Sequence, residues 1–124
     1  MKLQLFLLIL LSVSISAVAQ IVLKTGASDP AVIEAIDRGN PANIAMQFVT
    51  NRWVLGGLAL YFGGAVIWLF VLARIDVSYA YPFVGVGFIL TMLLGRVLLG
   101  DVITASRLLG TLLVSAGVVL IART

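Results

Sequence analysis

The sequence contains no cysteine and no histidine. Without cysteine the chain can form no disulfide and no thiolate, and without histidine it lacks the side chain that most often binds transition metals or moves protons near neutral pH. The chain also shows no nucleophile paired with a base and no cluster of metal ligands. We therefore expect no catalytic residues, no metal and no other cofactor, and we do not expect an enzyme.

Charged residues are scarce as well, at 10% of the chain, whereas hydrophobic residues make up 62%. The mean hydropathy is +1.21. A soluble domain is nearer a quarter charged and cannot bury this much apolar surface, so the composition predicts an integral membrane protein. The formal net charge of +3 comes from scattered lysines and arginines at the ends of apolar stretches, where anionic lipid headgroups attract them, and it indicates no nucleic-acid partner.

Four apolar stretches are each long enough to cross a membrane as a helix, which takes about 20 residues. They cover about residues 3–23, 53–73, 78–99 and 105–122. Because the connections between the last three stretches are short, neighbouring helices must run antiparallel. The sequence thus predicts one all-α domain, a bundle of four transmembrane helices.

The first stretch can also be interpreted as a secretory signal, since Lys2, an apolar core and an Ala-Val-Ala cleavage site precede Gln20. Its apolar run continues past that site to Leu23, which is longer than the core of a signal peptide. We therefore expect the segment to be retained as the first transmembrane helix.

Residues 25–52 form the one sizeable polar region. Asp29 and Asn40 each precede a proline, the pattern of a helix N-cap followed by proline in the first turn, and Gly39 suits the stop between two helices. Two short helices are predicted. The second is polar on one face and apolar on the other, which is typical of a helix in the membrane interface; a solvated connector with some helix fits the pattern equally.

Polar side chains recur every four residues along the first span, at Ser12, Ser16, Gln20 and Lys24. This spacing places them on one helical face, which we expect to point into protein or water. Gln20 offers amide donors and an acceptor, and Lys24 a charge that can hold a phosphate oxygen near the membrane surface. A lysine at this position can equally extend to the interface with no other role. Every acid lies in a loop or at the end of a span, so no carboxylate inside the membrane can exchange protons for a substrate.

Proline and glycine mark the third and fourth spans. Pro82 removes one helical hydrogen bond, and Gly85 and Gly87 loosen the next turn, so we predict a kink near the start of the third span. Gly110 and Gly117 lie seven residues apart on the fourth span and mark a face where helices approach closely. The same spacing occurs in two glycine pairs of the second span, for which contact within one chain is the simpler expectation.

Three segments resemble a known family. SAVAQIVLK (residues 16–24) and LGGLALYFGGAVIWLFVLARIDVSYAYP (residues 55–82) are similar to the small flippase subunits for undecaprenyl-phosphate aminoarabinose, and GTLLVSAGVVLI (residues 110–121) resembles the fourth helix of the wider small multidrug resistance family of the drug/metabolite transporter superfamily. The resemblance implies a multi-pass protein of the bacterial inner membrane. It also places Gly110 and Gly117 at the dimer contact.

The function that this resemblance favours is a flippase subunit, which moves a polyprenyl-phosphate-linked sugar or a similar anionic lipid by alternating access. Four helices are too few to enclose a large headgroup, so we expect a homodimer or a heterodimer with a related small subunit. The expected substrate-binding residues are polar side chains of the first, third and fourth spans: Ser16, Gln20, Lys24, Tyr81, Arg96 and Arg107. The lysine and the arginines would meet the phosphate, and the others would line the polar path.

Two alternatives stay open. A small multidrug or metabolite transporter of the same fold would need an anionic site for its cation, and the candidates are Asp76 and Asp101 at span ends. The essential first-helix acid of the multidrug proteins corresponds to Ser16 here, which disfavours proton-coupled export. A membrane scaffold that transports nothing is the other alternative, since apolar glycine faces are sufficient for it.

Overall fold

The computed structural model describes residues 3–124, and this part of the chain contains helices and turns but no strand. Four helices are long and apolar enough to cross a membrane: α1 (Leu3–Ala27), α4 (Arg52–Leu72), α5 (Val77–Leu99) and α6 (Ala105–Ala122). Two shorter helices connect the first pair: α2 (Pro30–Arg38) and α3 (Pro41–Thr50). The predicted all-α membrane fold, with two short helices in the first loop, is confirmed.

The first helix continues past the end of its apolar stretch, to Ala27 rather than residue 23. Two hydroxyls at this end bond back to the helix: Thr25 Oγ1 donates to the carbonyl of Ile21 (3.0 Å), and Ser28 Oγ donates to the carbonyl of Lys24 (2.7 Å). The helix runs without interruption through the segment that resembles a signal cleavage site, and its alanines 17 and 19 are buried in the bundle.

The two short helices begin at their prolines because local cap chemistry fixes the starting points. The Asp29 carboxylate accepts a hydrogen bond from the backbone N–H of Ala31 (2.9 Å), and Asn40 Oδ1 accepts one from that of Ala42 (3.1 Å). Gly39 ends α2 in the left-handed conformation, with φ of 72°. The predicted caps and stop are therefore confirmed.

The most extensive helix contact in the bundle joins α1 to α4. Gly57 and Gly64 lie at this contact, and a Cβ added to Gly57 would stand 2.7 Å from Cγ and Cδ2 of Leu23. A Cβ on Gly56 or Gly63 would meet nothing within 4 Å. Since adjacent residues of an α-helix point roughly 100° apart, only one glycine of each pair can face α1.

Ser12 ties α1 to α4 by a hydrogen bond. Its side chain is buried, and its Oγ donates to the backbone carbonyl of Gly64 at 2.7 Å. Replacing Ser12 by alanine should lower the free energy of unfolding by about 0.5–1.5 kcal/mol, because hydrogen bonds between membrane helices contribute amounts of this size. Unfolding of the micelle-bound protein with sodium dodecyl sulfate, followed by tryptophan fluorescence, measures the loss.

Ser14→Ala is the matched control for that measurement. Ser14 is half-buried on the same helix, and its hydroxyl makes no hydrogen bond to another helix within the described part of the chain. We expect the two proteins to differ, with Ser14→Ala close to the wild type. Equal stabilities of the Ser12 and Ser14 variants would show that the bond to Gly64 contributes nothing measurable.

The third span, α5, is not a uniform α-helix. Its successive segments are an α-helical turn, a 3₁₀ turn, a longer α-helix and a π-helical turn: Val77–Ala80, Tyr81–Phe83, Val84–Leu94 and Gly95–Leu99. Pro82 lies in the 3₁₀ turn, and it has no N–H to donate to the α-helical turn that precedes it. Gly85 and Gly87 lie in the regular segment that follows, so the irregular geometry is at the proline.

The core of the bundle gathers side chains from all four long helices: Ile9, Val13, Val71, Ala80, Phe83 and Val118. The fourth span contributes least, because Val118 is its one buried residue. That helix packs against α5. Tyr79 Oη of α5 also donates a hydrogen bond to the carbonyl of Ala122 in α6 (3.2 Å). Most of the α6 surface is therefore free.

Candidate functional site

A cavity of about 390 Å³ opens between α1, α4 and α5, and we call it the central cavity. Its polar groups are hydroxyls and one amide, from Ser12, Ser16, Gln20, Tyr61, Tyr81 and Thr91. Its aromatic walls are the two tyrosines together with Trp68 and Phe88. Within the described chain, no residue that lines it carries a charge. The site thus offers hydrogen bonds and ring faces without a fixed charge.

Small residues make room for this cavity. Ala17, Gly64, Ala65 and Gly87 line it, one or more from each of the three helices. Gly87 also lets α5 approach α1, since a Cβ there would lie 3.0 Å from Cγ1 of Val13. The glycines therefore bring the helix backbones together, while their missing side chains leave the space between the polar residues open.

Only part of the polar stripe of α1 lines the central cavity. Ser12, Ser16 and Gln20 line the cavity, whereas Lys24 is exposed and does not. Each step of four residues turns the stripe by roughly 40° around the helix, so Lys24 points roughly 120° away from Ser12. The helix geometry thus separates the cation from the hydroxyls that precede it.

The predicted substrate-binding residues consequently divide into two groups. Ser16, Gln20 and Tyr81 line the central cavity together. The cations do not: Arg107 lines a second cavity, between α5 and α6, and Arg96 is exposed at the end of α5. The structure brings the predicted polar path together and leaves the predicted phosphate contacts at the rim of the bundle.

Sequence reasoning missed Tyr61, Trp68 and Thr91 as lining residues. Tyr61 and Trp68 lie seven residues apart on α4, on the face that also holds Gly64. This periodicity was available in the sequence as a signal that both rings share the face turned towards α1. Thr91 carries no such signal, because its face is set by the packing of α5.

The second cavity measures about 480 Å³ and is lined by both charged and apolar residues. Asp101 and Arg107 line it, at the end of the bundle where α5 turns into α6. Arg107 Nη1 donates to the backbone carbonyl of Val102 at 2.7 Å. The backbone N–H of Asp101 donates to the carbonyl of Gly95 at 3.1 Å.

The glycines predicted for the dimer contact are exposed on α6. A Cβ on Gly110 or Gly117 would meet nothing within 4 Å, so neither glycine serves packing inside the chain. Gly85 of α5 behaves differently, because a Cβ there would lie 2.7 Å from Cγ1 of Val114 on α6. Contact between chains through Gly110 and Gly117 stays a prediction.

Comparison with known proteins identifies relatives, although no family model and no solved structure matches the chain. A probable 4-amino-4-deoxy-L-arabinose-phosphoundecaprenol flippase subunit ArnE of Pseudomonas syringae pv. syringae is 41% identical over 71 residues, which cover 57% of this chain and 66% of that protein. The protein of the same name from Pseudomonas savastanoi pv. phaseolicola is 35% identical over 68 residues, 55% of this chain and 60% of that protein. These two matches span less than two thirds of the relatives.

A longer match comes from Pseudomonas fluorescens strain Pf-5, whose protein of the same name is 31% identical over 86 residues, 69% of this chain and 75% of its own length. All these names describe transport proteins, in agreement with the expectation that the chain is not an enzyme. With its four apolar helices, the protein is a multi-pass protein of the bacterial inner membrane. The chain belongs to the ArnE family of flippase subunits.

Proposed function

We propose that the protein is a flippase subunit that moves a polyprenyl-phosphate-linked aminosugar across the inner membrane, with the sugar passing through the central cavity. The relatives are named as probable subunits of a flippase for such a lipid. The observation that carries the proposal is the central cavity itself, which is uncharged and lined by hydroxyl, amide and aromatic groups of three membrane-spanning helices. Its volume of about 390 Å³ lies within the range typical of small-ligand sites.

The chemistry of the cavity suits a sugar. Sugar hydroxyls both donate and accept hydrogen bonds, as do the hydroxyl of Ser16 and the amide of Gln20. The apolar face of a pyranose can lie on the rings of Tyr61 or Trp68, and an attached ammonium is attracted to the same ring faces. A transporter of free cations would need an acid here, and no described residue that lines the cavity supplies one.

The phosphate of the lipid would bind outside the cavity, to cations at one end of the bundle. Lys24 lies one helical turn beyond Gln20, while Arg96 and Arg107 lie at the same end because α5 finishes and α6 starts there. Charges in this position attract anionic headgroups at the membrane surface. In the proposed order of events, the cations hold the phosphate while the sugar enters between the helices.

The proposal includes a second subunit, either another copy or a related small protein. The central cavity opens between only three helices of one chain, and a partner would close it. The exposed α6 surface with Gly110 and Gly117 offers a contact for that partner, because small residues let membrane helices approach closely. Alternating access would follow from movement of α5 about its 3₁₀ turn.

Inner-membrane vesicles of the source bacterium provide the test, since they contain any partner subunit. The lipid amine reacts with a membrane-impermeant reagent only in the outer leaflet, so the change in reactive fraction over time measures transport. Deleting the chain should abolish transport and a plasmid copy should restore it. A Lys24→Ala copy should restore about a tenth of the rate, because one lost charge-assisted hydrogen bond is worth about 1.5 kcal/mol.

Two further variants control for charge and folding. Lys24→Arg keeps a cation and should retain most of the rate. Arg38→Ala removes a different exposed cation, which forms an ion pair with Glu34 on α2, and should leave the rate unchanged. Transport at the normal rate without the chain would overturn the proposed function. A normal rate in the Lys24→Ala protein alone would remove only the phosphate role of that residue.

A further inference from the structure

The second cavity, between α5 and α6, is distinct from the central cavity but adjoins it. Phe88 and Thr91 line both, so these two side chains stand between them. The second cavity extends from there to the end of the bundle, where Asp101 and Arg107 line it. Gly110 also lines it, so a ligand in this cavity would lie beside the surface proposed for the partner subunit. The second cavity therefore lies beside the proposed transport path. Unlike the central cavity, it is lined by charged residues.

Two residues of opposite charge line this cavity, and no ion pair joins them. The ion pair of the described chain joins Arg38 to Glu34, and neither Asp101 nor Arg107 has a partner of opposite charge within 4 Å among the described residues. One N–H of the Arg107 guanidinium is held by the carbonyl of Val102, which leaves four of the five donors of the group for a ligand.

Two hydrogen bonds hold the backbone of Asp101. Its N–H donates to the carbonyl of Gly95 (3.1 Å), and its carbonyl accepts from Nη1 of Arg96 (3.4 Å). Its Oδ2 occupies the space beside Gly95 that a Cβ would fill, at 2.5 Å from that position. The carboxylate oxygens accept no hydrogen bond within residues 3–124. The cavity is thus lined by one anion and one cation, neither of which is paired with an opposite charge within residues 3–124.

We propose that the second cavity binds a lipid headgroup that carries both a phosphate and a primary amine, with the phosphate on Arg107 and the ammonium on Asp101. A headgroup that is only anionic would be repelled by Asp101, and one that is only cationic by Arg107. The apolar walls, Met92, Val102, Ile103 and Val114, suit the adjoining hydrocarbon chain. Ethanolamine phospholipids and aminosugar phospholipids share this chemistry. Binding of the aminosugar lipid rests on the proposed function, whereas binding of the ethanolamine lipid does not.

Because the protein has no cysteine, a single introduced cysteine reports occupancy of the cavity. Val102 lines the cavity with 68% of its surface exposed, and Ser106 is exposed nearby without lining it, so Val102→Cys is the probe and Ser106→Cys its control. The rate of maleimide labelling is measured in dodecyl maltoside micelles, which carry no charge. The added lipids are dihexanoyl phosphatidylethanolamine, dihexanoyl phosphatidylglycerol and a short-chain polyprenyl phosphate bearing 4-amino-4-deoxy-L-arabinose.

The ethanolamine lipid should slow labelling of Val102→Cys about fivefold, which corresponds to about 80% occupancy if the bound lipid blocks the thiol, while the glycerol lipid should have less than about a third of that effect. Neither lipid should change labelling of Ser106→Cys. Adding Asp101→Asn or Arg107→Gln should abolish the protection. Asp76→Asn and Arg123→Gln remove the same charges at the opposite end of the bundle and should preserve it.

Each outcome decides the proposal. Equal protection by the glycerol lipid, or protection that survives Asp101→Asn, would overturn it, as would no protection by either amine-bearing lipid. Folding is checked in the Ser106→Cys background, where every charge variant must label at the parental rate, and Arg107→Lys should keep part of the protection. Protection by the ethanolamine lipid alone would establish the headgroup site independently of the proposed function, which the vesicle assay tests separately. Protection by the aminosugar lipid would support both.

Discussion

A Gly57→Val protein should unfold at a much lower concentration of sodium dodecyl sulfate than the wild type, with a loss of about 3 kcal/mol in the free energy of unfolding. A Cβ at this position would lie 2.7 Å from two side-chain carbons of Leu23 and 3.1 Å from its backbone nitrogen. The leucine side chain can rotate away, but the backbone cannot. The helices α1 and α4 would therefore have to separate at their most extensive contact.

Gly56→Val is a close control, because it makes the same substitution one residue earlier. A Cβ there would meet nothing within 4 Å, so the stability should change by less than about 0.5 kcal/mol. Tryptophan fluorescence reports both experiments, since Trp53 and Trp68 lie on the same helix. If the two valine proteins were equally stable, the close approach of α1 and α4 at Gly57 would not limit the packing of the bundle.

Much of the fold could be predicted because it depends on local properties of the chain. The number of spans follows from stretches of hydropathy, and each stretch can be recognised without knowing its neighbours. The short helices of the first loop follow from the caps at Asp29 and Asn40, whose side chains bond to N–H groups two residues on. An irregularity near the start of the third span follows from the missing N–H of Pro82, although its form as a 3₁₀ turn could not be predicted.

The parts that could not be predicted depend on how helices meet. The sequence shows the glycine pairs of α4 but not which member of each pair faces α1, since either is compatible with the same spacing. The π-helical turn at Gly95–Leu99 likewise has no local signal, and it places Asp101 against Gly95. Packing of one helix against another decides the first feature, and nothing in the structure explains the second.

The candidate site shows the same division. The stripe on α1 correctly placed Ser16 and Gln20 on a common polar face, and these residues line the central cavity. The drift of roughly 40° in each four-residue step carries Lys24 out of that cavity. The charges at Asp101 and Arg107 were recognised separately, as a possible cation site and a possible phosphate site. Only the turn between α5 and α6 shows that they line one cavity.

Replacing Ala65 by phenylalanine should reduce lipid transport in the vesicle assay at least about tenfold, the largest functional effect that we expect from one substitution. Ala65 lines the central cavity, and its side chain is exposed there, so an added ring would occupy space needed by the sugar. A sugar that must displace a ring held by neighbouring aromatic groups loses about 1.4 kcal/mol or more, which is a factor of about ten. The ring would face open space, so the protein should remain folded.

Ala59→Phe is the control for Ala65→Phe. It adds the same ring to the same helix but outside the central cavity, so it tests whether added bulk alone lowers transport. Ala59 is exposed on the same helix but does not line the central cavity, because six residues of separation turn it roughly 120° away from Ala65. This protein should transport lipid at nearly the rate of the wild type. If Ala65→Phe also did so, while deletion of the chain still abolished transport, the headgroup would have to cross by a route other than the central cavity. The charged cavity between α5 and α6 would then be the next route to test, through Phe88 and Thr91.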